Sequence, residues 1–159
     1  MALSIRTQIV KDLAAALRNI SVANGHSFNC REVYELMPNE ATLDSQTAQP
    51  CIFIWGGVEE ENLNTWVDGV QSELDIHLVI SGQTCYSAAE VGAEMAADVK
   101  QVLLSGTPWS IGGASVDLVP YQTMVAVSEV DEFQPGAYVQ FVARFSTVLG
   151  NPREAYVKS

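Results

Sequence analysis

From Glu73 to Ile80 the side chains alternate, with Leu74, Ile76, Leu78 and Ile80 on one face and Glu73, Asp75, His77 and Val79 on the other. A period of two held over eight residues is the pattern of a half-buried strand. The chain is therefore expected to build a sheet with one apolar face and one face carrying Glu73, Asp75 and His77. Upstream, the run Gln-Pro-Cys-Ile-Phe-Ile-Trp reads as a short apolar strand over Cys51–Trp55. Gly56-Gly57 breaks it ahead of the acidic triplet Glu59-Glu60-Glu61 and a polar loop reaching Ser72. Downstream, Ser87-Ala-Ala-Glu90 has the capping-box spacing, in which Ser and Glu satisfy two N–H groups at a helix start. The helix expected from about Ala88 to Leu104 is apolar along Val91, Met95, Val99, Val102 and Leu103, and acidic along Glu90, Glu94 and Asp98. Ser105-Gly106-Thr107-Pro108 stops it.

The flanking segments fill in the order. Ile5, Ile9, Leu13, Leu17 and Ile20 recur at helical spacing, with Ser4 placed to cap and Asn24-Gly25 to close the segment. Arg6, Lys11 and Arg18, three of the eight basic residues, read as its solvated face. Cys30 to Leu36 reads as a short strand ended by Met37-Pro38, followed by a polar loop from Asn39 to Gln49. Gly112-Gly113 is a turn into Ala114–Val119, and Pro120 calls for a bulge or an edge position before Tyr121–Val127. Acidic Glu129, Asp131 and Glu132 precede turn residues Pro135-Gly136. The last strand runs from Ala137 to Leu149, and a flexible tail is expected from about residue 150. Helix, three strands, helix and two or three strands predict an α+β domain over residues 1–159. Its sheet is mainly antiparallel, with two amphipathic helices packed on one face.

The charge balance narrows the function classes. Nineteen acidic against eight basic residues give a net −11, which argues against holding nucleic acid by neutralising phosphates. The same balance suits solubility, or a wall past which a polyanion slides without sticking. No apolar run approaches the ~20 residues that span a bilayer, and the start Met-Ala-Leu-Ser-Ile-Arg lacks the features of a secretory signal. Cys30, Cys51 and Cys85 cannot all pair with one another and read as reduced thiols of a cytosolic setting. Glu73, Asp75 and His77 lie ~6.5–7 Å apart along one strand, so they converge poorly on one ion and no metal is expected. An Asp75–His77 pair serving a nucleophile needs a third residue in an activating setting, for which Cys51 and Cys85 are the thiols to weigh. Cys51 sits in an apolar strand where a thiol stays protonated, and Cys85 is the one cysteine expected to be reachable. His26, in a loop beside Gly25, is expected to be exposed. No catalytic residue and no cofactor are assigned. Trp66 divides evenly between core and interface.

The layout resembles that of the tail terminator (tail-completion) proteins of long-tailed bacteriophages. The resemblance lies in the Ile-Arg-x-x-Ile-Val helix start, Arg31-Glu-Val-Tyr-Glu, Gln-Pro-Cys-Ile-Phe-Ile running into Glu-Glu-Glu, the Glu73–Ile80 strand, the Ala88–Leu104 helix and Tyr-Val-Gln-Phe-Val-Ala-Arg-Phe. It implies a protomer that forms a ring, usually a hexamer. Such a ring caps the finished tail tube, stops its polymerisation and docks the neck of the filled head. The implied partners are further copies of the chain, the tail tube protein and a head–tail connector or neck protein. DNA passes through the lumen without specific binding, and no membrane is involved. The implied location is the virion tail or neck, reached from the host cytoplasm during assembly. Candidate interface or lumen residues are Glu59, Glu60, Glu61, Leu63, Trp66, Glu90, Glu94 and Asp98. The long 56–72 loop departs from the family layout and leaves open which surface meets tube or head. Asn39–Gln49 and Gly56–Ser72 are expected to be mobile until a partner orders them, with Leu63 and Trp66 as apolar anchors. Alternatives are a head-completion (neck) or tail-tube protein of the same virion, or a small soluble enzyme using the Asp75/His77 face.

Overall fold

Helix α1 (Ile5–Leu17) starts where Ser4, in extended conformation, accepts a hydrogen bond from the Thr7 N–H at 3.2 Å. This satisfies one of the helix's orphan donors. Its buried line is Ile5, Ile9, Leu13, Ala14 and Leu17. The helix ends before Ile20, which is buried from the following turn. A 3₁₀ turn, Val22–Asn24, closes on Gly25 at φ 89°, a conformation that costs glycine little. The computed structural model describes residues 2–39, 49–63, 69–83, 85–128 and 134–157. Trp66, Glu129, Asp131 and Glu132, and all but the two ends of the Asn39–Gln49 segment, lie outside these.

Strand β1 (Glu32–Tyr34) pairs in parallel with β2 (Cys51–Leu63), and β2 pairs antiparallel with β3 (Gly69–Ser81). The expected 56–72 loop is therefore mostly a paired hairpin, with Glu59 opposite Leu74, Glu60 opposite Glu73 and Leu63 opposite Val70. Gly56-Gly57 is not a turn. It lies where the β2 register shifts, a bulge that absorbs extra chain and lets pairing resume. Three successive glutamates carry no period, so their strand state comes from the partner strand and was invisible locally.

Helix α2 (Ala88–Ser105) matches the expected span, but its capping box does not form. Ser87 sits at φ −105°, ψ 42° and makes no side-chain cap hydrogen bond. At the other end the Trp109 indole donates to the Leu103 carbonyl at 2.9 Å, and a Cβ on Gly106 would lie 2.5 Å from that indole. Close ring approach, with φ at −85°, explains the glycine. Strands β4 (Trp109–Ile111) and β5 (Ala114–Ser128) are joined by Gly112-Gly113 at φ 58° and 83°, as a two-residue hairpin with positive φ at both positions requires. The β5 register shifts between Pro120 and Gln122, so Pro120 sits at a bulge. Strand β6 (Gln134–Val148) runs straight through Pro135-Gly136, which pair with Val127 and Ala126 and form no turn. The expected polar tail forms β7 (Asn151–Ala155), paired to the end of β6.

The sheet order is β1-β2-β3-β6-β5-β4, with β7 on β6, and every described pairing except β1–β2 is antiparallel. The Glu73–Ile80 phase is as the sequence predicts: Leu74, Ile76, Leu78 and Ile80 are fully buried. They join Val139, Phe141 and Ala143 of β6 and the buried lines of both helices in one core cluster. Each Leu, Ile, Val, Met or Phe among them contributes about 1.5–3 kcal/mol by burial. The reverse face is not wholly polar. Phe53 is fully buried outside that cluster, its ring 5.0 Å from that of Tyr34. No helix among the described residues is long and apolar enough to cross a membrane.

Candidate functional site

The β2 bulge organises one end of the reverse face. From α1, the Arg6 guanidinium donates to the carbonyls of Gly56 (3.1 Å) and Gly57 (2.7 Å) and lies 3.7 Å from the Glu59 carboxylate. From β3, the His77 ring lies so close to Gly57 that a Cβ there would sit 2.3 Å from Nε2. The bulge is thus held by an arginine and by an imidazole. Beyond it, Glu60 and Glu61 are exposed and Glu59 half-buried.

His77 is enclosed by aromatic rings. Trp55 stacks at 5.3 Å between centroids and Tyr138 at 5.9 Å, with interplanar angles of 20° and 29°. His77 Nδ1 bonds the Tyr138 hydroxyl, which donates to Gln140 Oε1 at 3.1 Å. Because that hydroxyl proton goes to Gln140, Nδ1 carries the other proton and donates. Burial pushes the His77 pKa below its usual value against the opposing pull of Asp75, and burial pushes the Tyr138 hydroxyl up. The imidazole is therefore held neutral beside the Tyr138 hydroxyl. Among the described residues, no three His, Cys, Asp or Glu side chains are grouped as metal ligands.

A charged row crosses four strands. Glu60 faces Glu73, Glu73 faces Arg144, and Arg144 faces Asp117. Arg144 Nε lies 3.3 Å from Glu73, which offsets the like-charge opposition of the two glutamates. A shallow pocket of about 280 Å³ opens beside Glu73, Asp117, Arg144, Asn62 and Ser72. Sequence reasoning singled out Glu60 and Glu73 but not Arg144 or Asp117, because only strand register brings them into line.

The α2 acidic stripe divides. Glu90 and Glu94 are exposed at a second pocket of about 280 Å³ floored by Phe28, Val91 and Met95. Asp98 does not belong to that surface. It is 9% exposed and accepts from the Ser27 N–H at 2.8 Å and from the Ser27 hydroxyl, with His26 Nδ1 3.8 Å away. It ties the loop after α1 to α2. The expected exposed His26 is instead half-buried, with Nδ1 fully covered and without a hydrogen-bond partner.

Leu63 is the last residue of β2. Lys11 and Arg18 are not simply solvated, since both pair with Glu35, at 3.5 and 3.3 Å, and Arg18 also donates to the Val33 carbonyl. Cys51 is buried, whereas Cys30 and Cys85 are both half-buried, so Cys85 is not singled out by access. Burial raises the Cys30 thiol to about 11. Neither the protein-family models nor the curated proteins include a match to this chain.

Proposed function

We propose that the chain is the protomer of a closed, sixfold virion ring of the tail terminator kind, capping a phage tail tube, stopping its growth and docking the neck. In this reading both helices lie against one sheet face and the other is the ring's working surface. The observation that supports it is that reverse face. Glu73, Asp75, Arg144 and Asp117 stand on it half-buried or exposed, while the buried Ile, Leu, Val and Met residues of both helices belong to the core cluster with Leu74, Ile76 and Leu78. A monomer gains little from so much ordered polar sheet, whereas a ring uses it as contact and lumen surface. Sixfold repetition of a −11 chain also gives a channel that repels the phosphate backbone, which carries one charge per ~1.7 Å of duplex.

Electron microscopy of concentrated protein, alone and mixed with tail tubes, tests the reading. Closed rings, and single rings at tube ends, are expected. Filaments growing without limit would favour a tube protein, and a persistent monomer that ignores tube ends would end the terminator reading.

A further inference from the structure

The two ends of the sheet are unequal. Strand β5 spans Ala114–Ser128, but β4 covers only Ala114, Ser115 and Val116 on its outer side. Thr107 Oγ1 then accepts from the Leu118 N–H at 3.1 Å. From Val119 onward no described residue pairs with β5 except on its β6 side. Leu118 to Ser128 contains no charged residue, and Tyr121, Met124 and Val125 are 66%, 58% and 39% exposed. Native proteins blunt open edges with charges, proline, bulges or a cover. Here Pro120 and its bulge guard only the start. A long, neutral, apolar edge in so acidic a chain calls for a cover.

At the opposite end, β1 covers only Cys51, Ile52 and Phe53 of β2. Arg6 occupies the Gly56 and Gly57 carbonyls. From Val58, itself 65% exposed, the outer side of β2 has no described partner. We propose that the distal β5 edge of one copy receives the distal β2 edge of a second copy, strand against strand. Charge disfavours the symmetric β2 pair, and a ring, which repeats head-to-tail, disfavours the symmetric β5 pair. Two β2 edges would oppose their Glu59–Glu61 carboxylates, which is destabilising, whereas β5 offers an uncharged surface to the acidic edge. The edges lie on opposite sides of the sheet, so the contact is head-to-tail and can repeat until it closes. The inference rests on the ring reading above and names its interface.

The test uses the full chain. Analytical ultracentrifugation across a concentration series compares the wild type with Tyr121→Lys/Met124→Lys and, from the other edge, with Val58→Asp. Each variant is expected to need at least tenfold more protein to associate, with the circular dichroism of a folded monomer retained. Copies carrying Tyr121→Cys mixed with copies carrying Val58→Cys are expected to give a dimer with a short bismaleimide, above the background of the native cysteines. Neither variant alone should do so. Wild-type rings that tolerate both edge variants would overturn the β5–β2 pairing and leave the ring standing. Self-cross-linking of Tyr121→Cys alone would replace it with a symmetric β5 contact. A wild type that stays monomeric at every concentration would overturn ring and edge together.

Discussion

Asp98 separates two accounts of the same helix. If Glu90, Glu94 and Asp98 formed one solvated acidic line, removing any of them would relieve like-charge repulsion at i,i+4 and stabilise the helix by a few tenths of a kcal/mol. The structure instead gives Asp98 two hydrogen bonds from Ser27. Bonds to a charged acceptor are worth about 1.5–3 kcal/mol each, but Ser27 is itself exposed and water recovers part of the loss. Asp98→Ala is therefore expected to destabilise by about 2 kcal/mol, less than the sum of two such bonds because of that solvent compensation. For a chain of this length that lowers Tm by roughly 4–8 °C. Glu94→Ala, on the exposed part of the line, should stay within about 0.5 kcal/mol of wild type. Ser27→Ala keeps the backbone bond and should cost about half as much as Asp98→Ala. Urea denaturation of the three variants is the assay. Asp98→Ala indistinguishable from Glu94→Ala would refute the tether and return Asp98 to the surface stripe.

Further outcomes follow from the bulge. Gly57→Ala puts a methyl where His77 Nε2 lies and should cost about 1–3 kcal/mol by overpacking. Adding His77→Ala should recover part of it, a coupling of at least about 0.5 kcal/mol in a double-mutant cycle. Arg6→Ala uncovers two bulge carbonyls and should destabilise by about 1–2 kcal/mol, while Lys11→Ala, an exposed ion pair, should change stability by under about 1 kcal/mol. For pH, His77 has a folded pKa below the unfolded 6.5. As pH falls through 6.5 the unfolded chain binds the proton first, so stability drops until the folded pKa is passed. Denaturation at pH 7.5 and 5.5 should show a larger loss for wild type than for His77→Gln; equal losses would mean the imidazole is not held neutral.

Much of the fold was legible because burial writes a period into sequence. The alternation at Glu73–Ile80 and the helical spacing of α1 identified the buried line, that of α2 found Met95, Val99 and Leu103 while Val91 and Val102 are half-buried, and Ser4 and Gly112-Gly113 identified a cap and a turn. What was missed is set by a partner far along the chain. Glu59–Glu61 are strand because β3 pairs with them, and Pro135-Gly136 are strand because β5 does. Ser87 and Glu90 have the right spacing, yet the backbone at Ser87 never becomes extended. Asp98 has the spacing of a surface residue, and only the return of Ser27 makes it a buried acceptor. The charged row and the Arg6 clamp needed register and docking that no local pattern encodes.

The bulge explains how an acidic hairpin can be both long and fixed. A β-ribbon that outruns its neighbours lacks cross-strand packing on one side, and Glu60 opposite Glu73 weakens it further. Arg6 counters this by joining the carbonyls of Gly56 and Gly57 to α1, while Glu59 shares its guanidinium. His77, clasped by Trp55 and Tyr138, presses on the bulge from β3. The core helix and the polar sheet face therefore meet at two glycines: a Cβ on Gly56 would touch Arg6 and Leu74 at 3.4–3.5 Å, and one on Gly57 would displace the imidazole. A contact made by the distal hairpin is thereby transmitted to α1 through one arginine and to the sheet through one ring. In a ring built on these edges, the acidic segment that meets a neighbour is the same segment that the protomer's own core orients.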